Sequence, residues 1–220
     1  MERHFRIAPK GVWLLLPLLL LAANGCASLL ATAFYRGNLA PADCNALEGK
    51  KVAVICTAAG GDFGPNPNAG PLSRQVGQLL ATNVPEIKLV SQQKVDAWMD
   101  ENDTSFLDYE EIGKGLKADM IVSIEIESLR LQDNQTMYKG QTSYRLKAID
   151  VADGGREVYA PFTSPLIYPR ISGVHTASVS LEEFRQKYLE VLAEDIAHHF
   201  YEHDLNQQIA IDTPDITRFR

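Results

Sequence analysis

Cys26 carries the most specific candidate chemistry in the sequence, because its thiol could be the lipid attachment point of an exported lipoprotein. Three Lys or Arg residues lie within the first ten positions, an apolar stretch covers residues 12–23, and Gly25 directly precedes the cysteine. A positive start, an apolar stretch of about 7–15 residues and small residues at its end form the pattern of an export signal. The pattern predicts a signal peptide over residues 1–25 and lipidation, with palmitate as the expected label, at Cys26.

The same apolar residues also fit an uncleaved transmembrane anchor. Residues 11–34 contain only Asn24, Ser28 and Thr32 as polar side chains, and about 20 apolar residues suffice to span a bilayer. Basic residues at the near end would keep the N-terminus in the cytoplasm. A lipid anchor, an uncleaved anchor and plain secretion all place the folded part on the extracytoplasmic side. We therefore expect a location in the cell envelope, facing the periplasm.

A glycine-rich loop follows the first predicted strand and is a candidate partner-binding loop. It contains Gly60, Gly61, Asp62, Phe63 and Gly64. Ligands bind beyond the carboxyl ends of strands in α/β sheets, although a flexible loop without a binding role explains the same residues. The phosphate-binding patterns G-x-x-x-x-G-K-[ST] and G-x-G-x-x-G are absent from the sequence, which argues against a nucleotide site.

Two histidines near the C-terminus are weak candidates for a metal site. His199 and His203 lie four residues apart in a helix predicted from residue 181 to about 202, so they would share one helix face. The sequence has no H-E-x-x-H motif and specifies no third ligand. A polar edge near a helix C-terminus, where protonated histidine is favoured, explains them equally. We predict no metal or cofactor and keep a metal-assisted enzyme as an alternative.

Charged residues alternate along two predicted strands in the second half of the chain. Glu125 and Glu127 lie on one strand, and Arg145 and Lys147 on the next. Pairing of opposite charges across a solvated sheet face explains this pattern better than an acid/base pair does. No serine lies in a G-x-S-x-G motif. We therefore predict no catalytic residue and expect that the protein is not an enzyme.

Composition limits the classes of partner. The formal net charge is -7 and the pI is near 5.2, without a basic patch, so nucleic acid is not an expected partner. Two cysteines remain after the export signal, Cys44 and Cys56, and they could form a disulfide in an oxidising compartment. Cys56 ends an apolar strand, where it could instead be a small buried hydrophobic side chain. The pairing stays open.

The order of apolar runs and helical periodicities predicts the fold class. The order is β-α-β-α-α-β-β-β-α, in which helices join the first three strands and an antiparallel meander ends the sheet. This is an α/β fold with a mixed sheet, parallel crossovers followed by an antiparallel meander, sandwiched with helices. The predicted boundaries are a signal peptide over 1–25, a tether over 26–49, one α/β domain over 50–204 and a flexible tail over 205–220.

Local signals mark several element ends. Ser91 and Asp108 precede helical periodicities and are predicted N-caps. Asp153-Gly154-Gly155 predicts a hairpin between the last two strands. The second of these strands is predicted over residues 157–167, where apolar and polar residues alternate less regularly. A stripe of apolar residues predicts the long final helix from residue 181.

Three short segments, in this order, resemble the curli-secretion lipoprotein superfamily. They are residues 112–122 (IGKGLKADMIV), 138–140 (YKG) and 148–151 (AIDV). That group is similar in fold to the amino-terminal domain of the Tol-Pal propeller protein and to lipoprotein activators of penicillin-binding proteins. The resemblance covers roughly residues 50–200. It implies a lipidated export-signal cysteine, which Cys26 supplies, and a role in binding or assembly without catalytic residues.

Together these features predict a membrane-anchored extracytoplasmic lipoprotein that binds another envelope protein or a secretion complex. The expected contact surfaces are the glycine-rich loop and the exposed face or edge of the meander, since edge strands recruit partners. An auxiliary lipoprotein of an envelope transporter, handling apolar cargo, is the alternative. The sequence leaves open which protein is the partner, whether the chain forms a homo-oligomer, and whether the membrane is the inner or the outer one.

Overall fold

Helices lie on both faces of a mixed β-sheet in the computed structural model, which describes residues 38–58, 68–102 and 108–205. The described residues from Leu39 onward belong to one compact unit. This arrangement confirms the predicted α/β class. In these ranges the helices are α1 (Ala69–Asn83), α2 (Gln92–Glu101), α3 (Tyr109–Leu116) and α4 (Leu181–Ala197), and a 3-10 turn (His198–Phe200) follows α4.

The sheet combines parallel and antiparallel strands as the sequence predicts. The strands are β1 (Leu39–Ala40), β2 (Lys51–Ala58), β3 (Lys88–Leu89), β4 (Met120–Asn134), β5 (Met137–Asp150), β6 (Arg156–Tyr159), β7 (Leu166–Tyr168), β8 (Val174–His175) and β9 (His203–Asp204). The main sheet has the order β3-β2-β4-β5-β6, and β7 and β8 pair with the remaining part of β5. β2 is parallel to β3 and β4, whereas β4, β5 and β6 are antiparallel. A separate two-stranded sheet joins β1 to β9.

The predicted strand over residues 157–167 is in fact two strands. β6 and β7 both pair with β5, and an irregular segment over residues 160–165 separates them. Pro161 and Pro165 lie in that segment. Because proline has no backbone N–H to donate to a ladder, the strand stops at the first proline and resumes after the second.

Side-chain caps fix the starts of two helices. Asp108 Oδ1 accepts hydrogen bonds from the backbone N–H groups of Glu110 and Glu111 at 3.0 and 3.1 Å, which confirms Asp108 as the N-cap of α3. Ser180 and Glu183 form a reciprocal capping box at the start of α4. Ser91 occupies the N-cap position of α2, but its side chain makes no capping hydrogen bond.

Two helices pack on each face of the sheet. α1 and α4 pack on the first face, where Leu72, Leu146 and Phe184 are almost completely buried. α2 and α3 cover one end of the second face through Val95 and Ile112. The helices therefore leave the other end of this second face open, and polar side chains of β4 and β5 occupy it.

Residues 39–49, which the sequence predicts to be part of a tether, pack on the domain. Leu47 is completely buried in the first core, and the backbone N–H of Cys44 donates to the carbonyl oxygen of His199 at 2.9 Å. β1 pairs with β9 in the same region. The described domain therefore begins at Leu39, ahead of residue 50.

Cys44 and Cys56 are free thiols, so the structure answers the open question of their pairing. Cys44 is buried near the C-terminal turn, whereas Cys56 lies on β2 and packs against the first core. Burial raises the pKa of the Cys56 thiol to about 12. This matches the interpretation of Cys56 as a small hydrophobic side chain.

Candidate functional site

Two of the predicted sites fall outside the part of the chain that the structure describes. They are the lipidation site Cys26 and the loop residues Gly60, Gly61, Asp62, Phe63 and Gly64. Both remain sequence predictions. None of the helices in the described ranges combines the length and the hydrophobicity that a bilayer-spanning segment requires.

His199 and His203 do not share a helix face, so that part of the sequence prediction is wrong. α4 ends at Ala197, and His203 lies on β9. The Nδ1 atom of His199 is 2.7 Å from Asp43 Oδ2 and 2.9 Å from the Tyr159 hydroxyl. In the described ranges, no group of three or more His, Cys, Asp and Glu residues is arranged to bind a metal. The helical periodicity gave no sign of the chain reversal after Ala197.

His203 instead stacks on His198. The two imidazole rings are nearly parallel, with centroids 4.0 Å apart, and Tyr201 contacts His198 edge-on. His198 is largely buried. Burial, and after it the neighbouring His203 and His199, together lower the pKa of His198 to about 4. The stack therefore favours the neutral form of His198.

We expect the protein to lose stability as the pH falls from about 6.5 towards 4. An unfolded histidine has a pKa near 6.5 and becomes protonated in this range, whereas folded His198 stays neutral. Protonation therefore favours the unfolded state. The contribution of His198 to this loss is about 2 kcal/mol between pH 7 and 4.5. Urea unfolding at both pH values measures it. His198→Phe keeps an aromatic ring and should reduce the pH dependence by that amount. An unchanged pH dependence in this variant would contradict the assignment.

The open part of the second sheet face carries the predicted cross-strand charge pairs. Arg145 contacts Glu125 at 3.4 Å and Glu127 at 2.6 Å, and Lys147 contacts Glu157 of β6. These pairs are mostly solvent-exposed, and exposed ion pairs contribute little to stability. Their geometry confirms the interpretation of a solvated, charge-paired sheet face.

A buried serine lies beside these charges, and sequence motifs did not single it out. The hydroxyl groups of Ser123 and Tyr109 are 2.9 Å apart, and Lys147 is the cross-strand partner of Ser123. The hydrogen bond to Glu157 raises the pKa of Lys147. Because Lys147 therefore stays protonated, it is not suited to accept a proton from Ser123 as a general base.

Four exposed apolar side chains, two of them almost fully exposed, lie on β6, on β7 and in the segments that follow these outer strands. Phe162 is 97% exposed and Ile171 is 89% exposed, and Val158 and Ile167 are each 37% exposed. We call these four residues the apolar edge. Only two other large hydrophobic residues of the described ranges are exposed, Leu39 and Leu181. Large exposed apolar side chains grouped in one region are candidates for an interaction site.

The apolar edge belongs to a stretch with very few charges. From residue 158 to 180, Arg170 is the only Asp, Glu, Lys or Arg, although such residues make up 22% of the chain. An exposed segment normally has charged side chains, because they favour solvation. This absence of charge was visible in the sequence and could have identified the edge before the structure did.

Hydrogen bonds to the sheet and to α4 hold the apolar edge in place. The Tyr188 hydroxyl donates to Thr142 Oγ1 at 2.7 Å and contacts the carbonyl oxygen of Leu166 at 3.3 Å. Thr163, next to Phe162, donates to the carbonyl oxygen of Tyr144. The segments that carry Phe162 and Ile167 are therefore attached to the sheet.

The edge strands themselves are poorly suited to accept an added strand. β6 has four residues and β7 has three. The register is irregular between the pairs Ala148–Tyr159 and Ile149–Glu157, so Val158 is an extra residue in β6. Short and bulged edges oppose strand addition. Side chains, more than backbone hydrogen bonds, are the recognition feature of this edge.

Of the comparisons with known proteins, only the comparison with solved structures found similarity. No family model matches the sequence, and no curated protein matches it. The lipoprotein GNA1162 from Neisseria meningitidis is similar with a TM-score of 0.44 and 12% identity over 67% of this chain and 97% of that one. The PelC dodecamer from Paraburkholderia phytofirmans gives 0.41 and 10% identity, over 74% of this chain and 95% of that one.

The C-terminal domain of LpoB from Salmonella enterica gives a TM-score of 0.34 with 15% identity, and covers 55% of this chain and 82% of that one. Similarities this low support no conclusion about activity or partner. The resemblance to the curli-secretion lipoprotein superfamily therefore stays a prediction from the sequence.

Proposed function

We propose that the chain is an exported lipoprotein that is held at a membrane through Cys26 and binds another envelope protein through the apolar edge. In this proposal it catalyses no reaction. The observation that carries the proposal is the nearly complete exposure of Phe162 and Ile171, together with the hydrogen bond that attaches Thr163, next to Phe162, to the sheet. The export signal supports the location, and the apolar edge supports the binding role.

Burial of the apolar edge would supply a substantial part of a binding free energy. Fully burying a Phe or Ile side chain contributes about 1.5–3 kcal/mol, and a few such anchors dominate most protein interfaces. The hydrogen bond of Thr163 to β5 restrains the backbone next to Phe162, which lowers the conformational entropy cost of binding there.

The geometry gives less support to the two alternatives. The histidines proposed for a metal-assisted enzyme point to different neighbours, Asp43 and His198. An apolar cargo would need a deep groove between sheet and helices. That space is filled in the described core, where Phe184, Tyr188 and Phe200 are at most 2% exposed.

Photo-crosslinking in intact cells tests the proposal. We expect p-benzoylphenylalanine in place of Phe162 to form an adduct with one envelope protein. The same amino acid in place of Leu181, which is 45% exposed on α4, is the matched control and should not form that adduct. Adducts of equal yield at both positions, or none at position 162, would contradict the proposed function.

A further inference from the structure

We infer that the β1–β9 pairing is a pH-sensitive clasp, which opens when His198 takes up a proton while the rest of the domain stays folded. The name clasp stands for the residues of these two strands, Leu39–Ala40 and His203–Asp204. This device is separate from the proposed function and requires no partner. Two features point to it, which are the small size of the pairing and the contact between His203 of the clasp and His198.

Few backbone hydrogen bonds hold the clasp together. Each of its strands has two residues, and the pair forms a sheet separate from the main one. In an antiparallel pair, hydrogen-bonded and non-hydrogen-bonded positions alternate, so about two backbone hydrogen bonds join the strands. An opening that breaks so few contacts requires much less free energy than global unfolding does. The clasp can therefore open while the main sheet and its helices stay intact.

Opening of the clasp would uncover His198. The ring of His203 lies flat against the ring of His198, with centroids 4.0 Å apart and an angle of 5° between the ring planes. His198 is 9% exposed in this closed arrangement. When β9 leaves β1, His203 moves with it, and one face of the His198 ring becomes accessible to water. The open form therefore binds a proton at His198 more tightly than the closed form does, so protonation stabilises the open form.

The titratable groups around His198 come from its own turn, from β9 and from α4. They are His199 and Tyr201 after it in the chain, His203 and Asp204 on β9, and Glu194 one helical turn earlier on α4. Burial comes first among the causes that lower the pKa of His198, and His203 and His199 follow. Burial, and after it the Glu194 carboxylate, raises the pKa of Tyr201 to about 12, so this hydroxyl stays neutral. The imidazole rings are thus the groups that respond in weakly acidic solution.

A second histidine limits the opening to the clasp. His199 Nδ1 lies 2.7 Å from Asp43 Oδ2, and the Tyr159 hydroxyl of β6 is 2.9 Å from His199 Nδ1 and 3.3 Å from Asp43 Oδ2. The carbonyl oxygen of His199 also accepts a hydrogen bond from the backbone N–H of Cys44 at 2.9 Å. A protonated His199 and an ionised Asp43 carry opposite charges, so acid does not weaken this contact. We expect the clasp to separate while Asp43 and Cys44 keep their contacts with His199.

Residue-resolved hydrogen–deuterium exchange of the full chain in detergent tests the clasp. His198 has a pKa of about 4 in the closed form, and a solvated histidine has a pKa of about 6.5. The equilibrium constant for opening should therefore rise by up to about 25-fold between pH 7.5 and pH 5. The backbone amides of the clasp should show this rise after correction for the intrinsic exchange rate at each pH. The amide of Cys44 is the internal reference and should stay more strongly protected than the clasp amides at both pH values.

Variants of the histidine stack separate the clasp from other effects of acid. His198→Phe keeps an aromatic ring beside His203 and removes the site that takes up the proton, so the opening should lose its pH dependence. His203→Ala exposes His198 already in the closed form, so the pH dependence should shrink and the clasp should open more often at pH 7.5. His175→Gln changes an exposed histidine on β8. It is the matched control and should behave like the unsubstituted chain.

Three results would overturn the pH-sensitive clasp. The first is a corrected exchange rate of the clasp amides that does not change between pH 7.5 and pH 5. The second is equal protection of Cys44 and the clasp, which would mean that the whole domain opens together. The third is an unchanged pH dependence in folded His198→Phe. The first two are measured on the unsubstituted chain, so they decide the matter even when a variant does not fold.

Discussion

Cys26→Ala is expected to abolish the incorporation of radioactive palmitate into the chain. The predicted export signal would place this thiol at the lipidation position. The other two cysteines are poor substitutes, because Cys44 is buried and burial raises the pKa of Cys56 to about 12. A thiol that stays protonated is a weak nucleophile. Labelling of the immunoprecipitated chain in growing cells measures the effect.

The matched controls are Cys44→Ala and Cys56→Ala, which should be labelled as strongly as the unsubstituted chain. Equal labelling of the Cys26→Ala variant would reject lipid attachment at this residue. Absence of label in the unsubstituted chain would favour an uncleaved transmembrane anchor or plain secretion instead. The expected effect is a complete loss of signal, because one thiol provides the attachment in the proposal.

Gly140→Ala is expected to destabilise the fold by about 3 kcal/mol or more. A Cβ atom at Gly140 would lie 2.1 Å from the Cδ2 and Cε2 atoms of Tyr188, which is far inside van der Waals contact. The Tyr188 ring cannot move away easily, because it is completely buried, packs on Phe184 and donates a hydrogen bond to Thr142. Urea unfolding followed by circular dichroism measures the loss.

Gly70→Ala is the control for this substitution. Its added Cβ atom would meet only the Arg74 guanidinium at 3.9 Å, and alanine is favoured over glycine in a helix by about 1 kcal/mol. The cost of Gly140→Ala should also be much smaller when Tyr188 is first replaced by alanine. An equal cost in both backgrounds would show that the contact with Tyr188 is not its cause.

Local sequence signals predicted the element order, one capping hydrogen bond and the hairpin. Gly154 and Gly155 adopt positive φ angles of 66° and 75° between β5 and β6, which is the conformation that glycine permits in tight turns. Asp108 caps α3 as expected. These features depend on residues close to one another in the chain, so a local pattern is sufficient to find them.

Features that depend on distant residues were missed. The burial of Leu47 requires the core between the sheet and α4, and its own surroundings in the sequence resemble a linker. His203 lies on β9 because this strand pairs with β1, which is more than 160 residues earlier in the chain. The apolar periodicity of the sequence does not change where the chain reverses direction, so the helix was predicted to extend beyond Ala197.

Part of the apolar edge was accessible from the sequence and part was not. The charge-free run after Val158 could be counted directly. Alternation cannot reveal that Phe162 is exposed while Tyr168, six residues later, is 3% exposed. That difference arises from the stacking of Tyr168 against Phe184 of α4, a contact between segments that are separate in sequence.

The β1–β9 pairing brings the two ends of the folded domain side by side. A tag placed directly after β9 would therefore start next to the strand at which the described domain begins. There it would compete for space with the surface around Tyr159, whose hydroxyl donates a hydrogen bond to Asp43. The β4–β5 turn at Gln135 and Thr136 lies at the far end of the long hairpin. An insertion there labels the protein and leaves the two chain ends unencumbered.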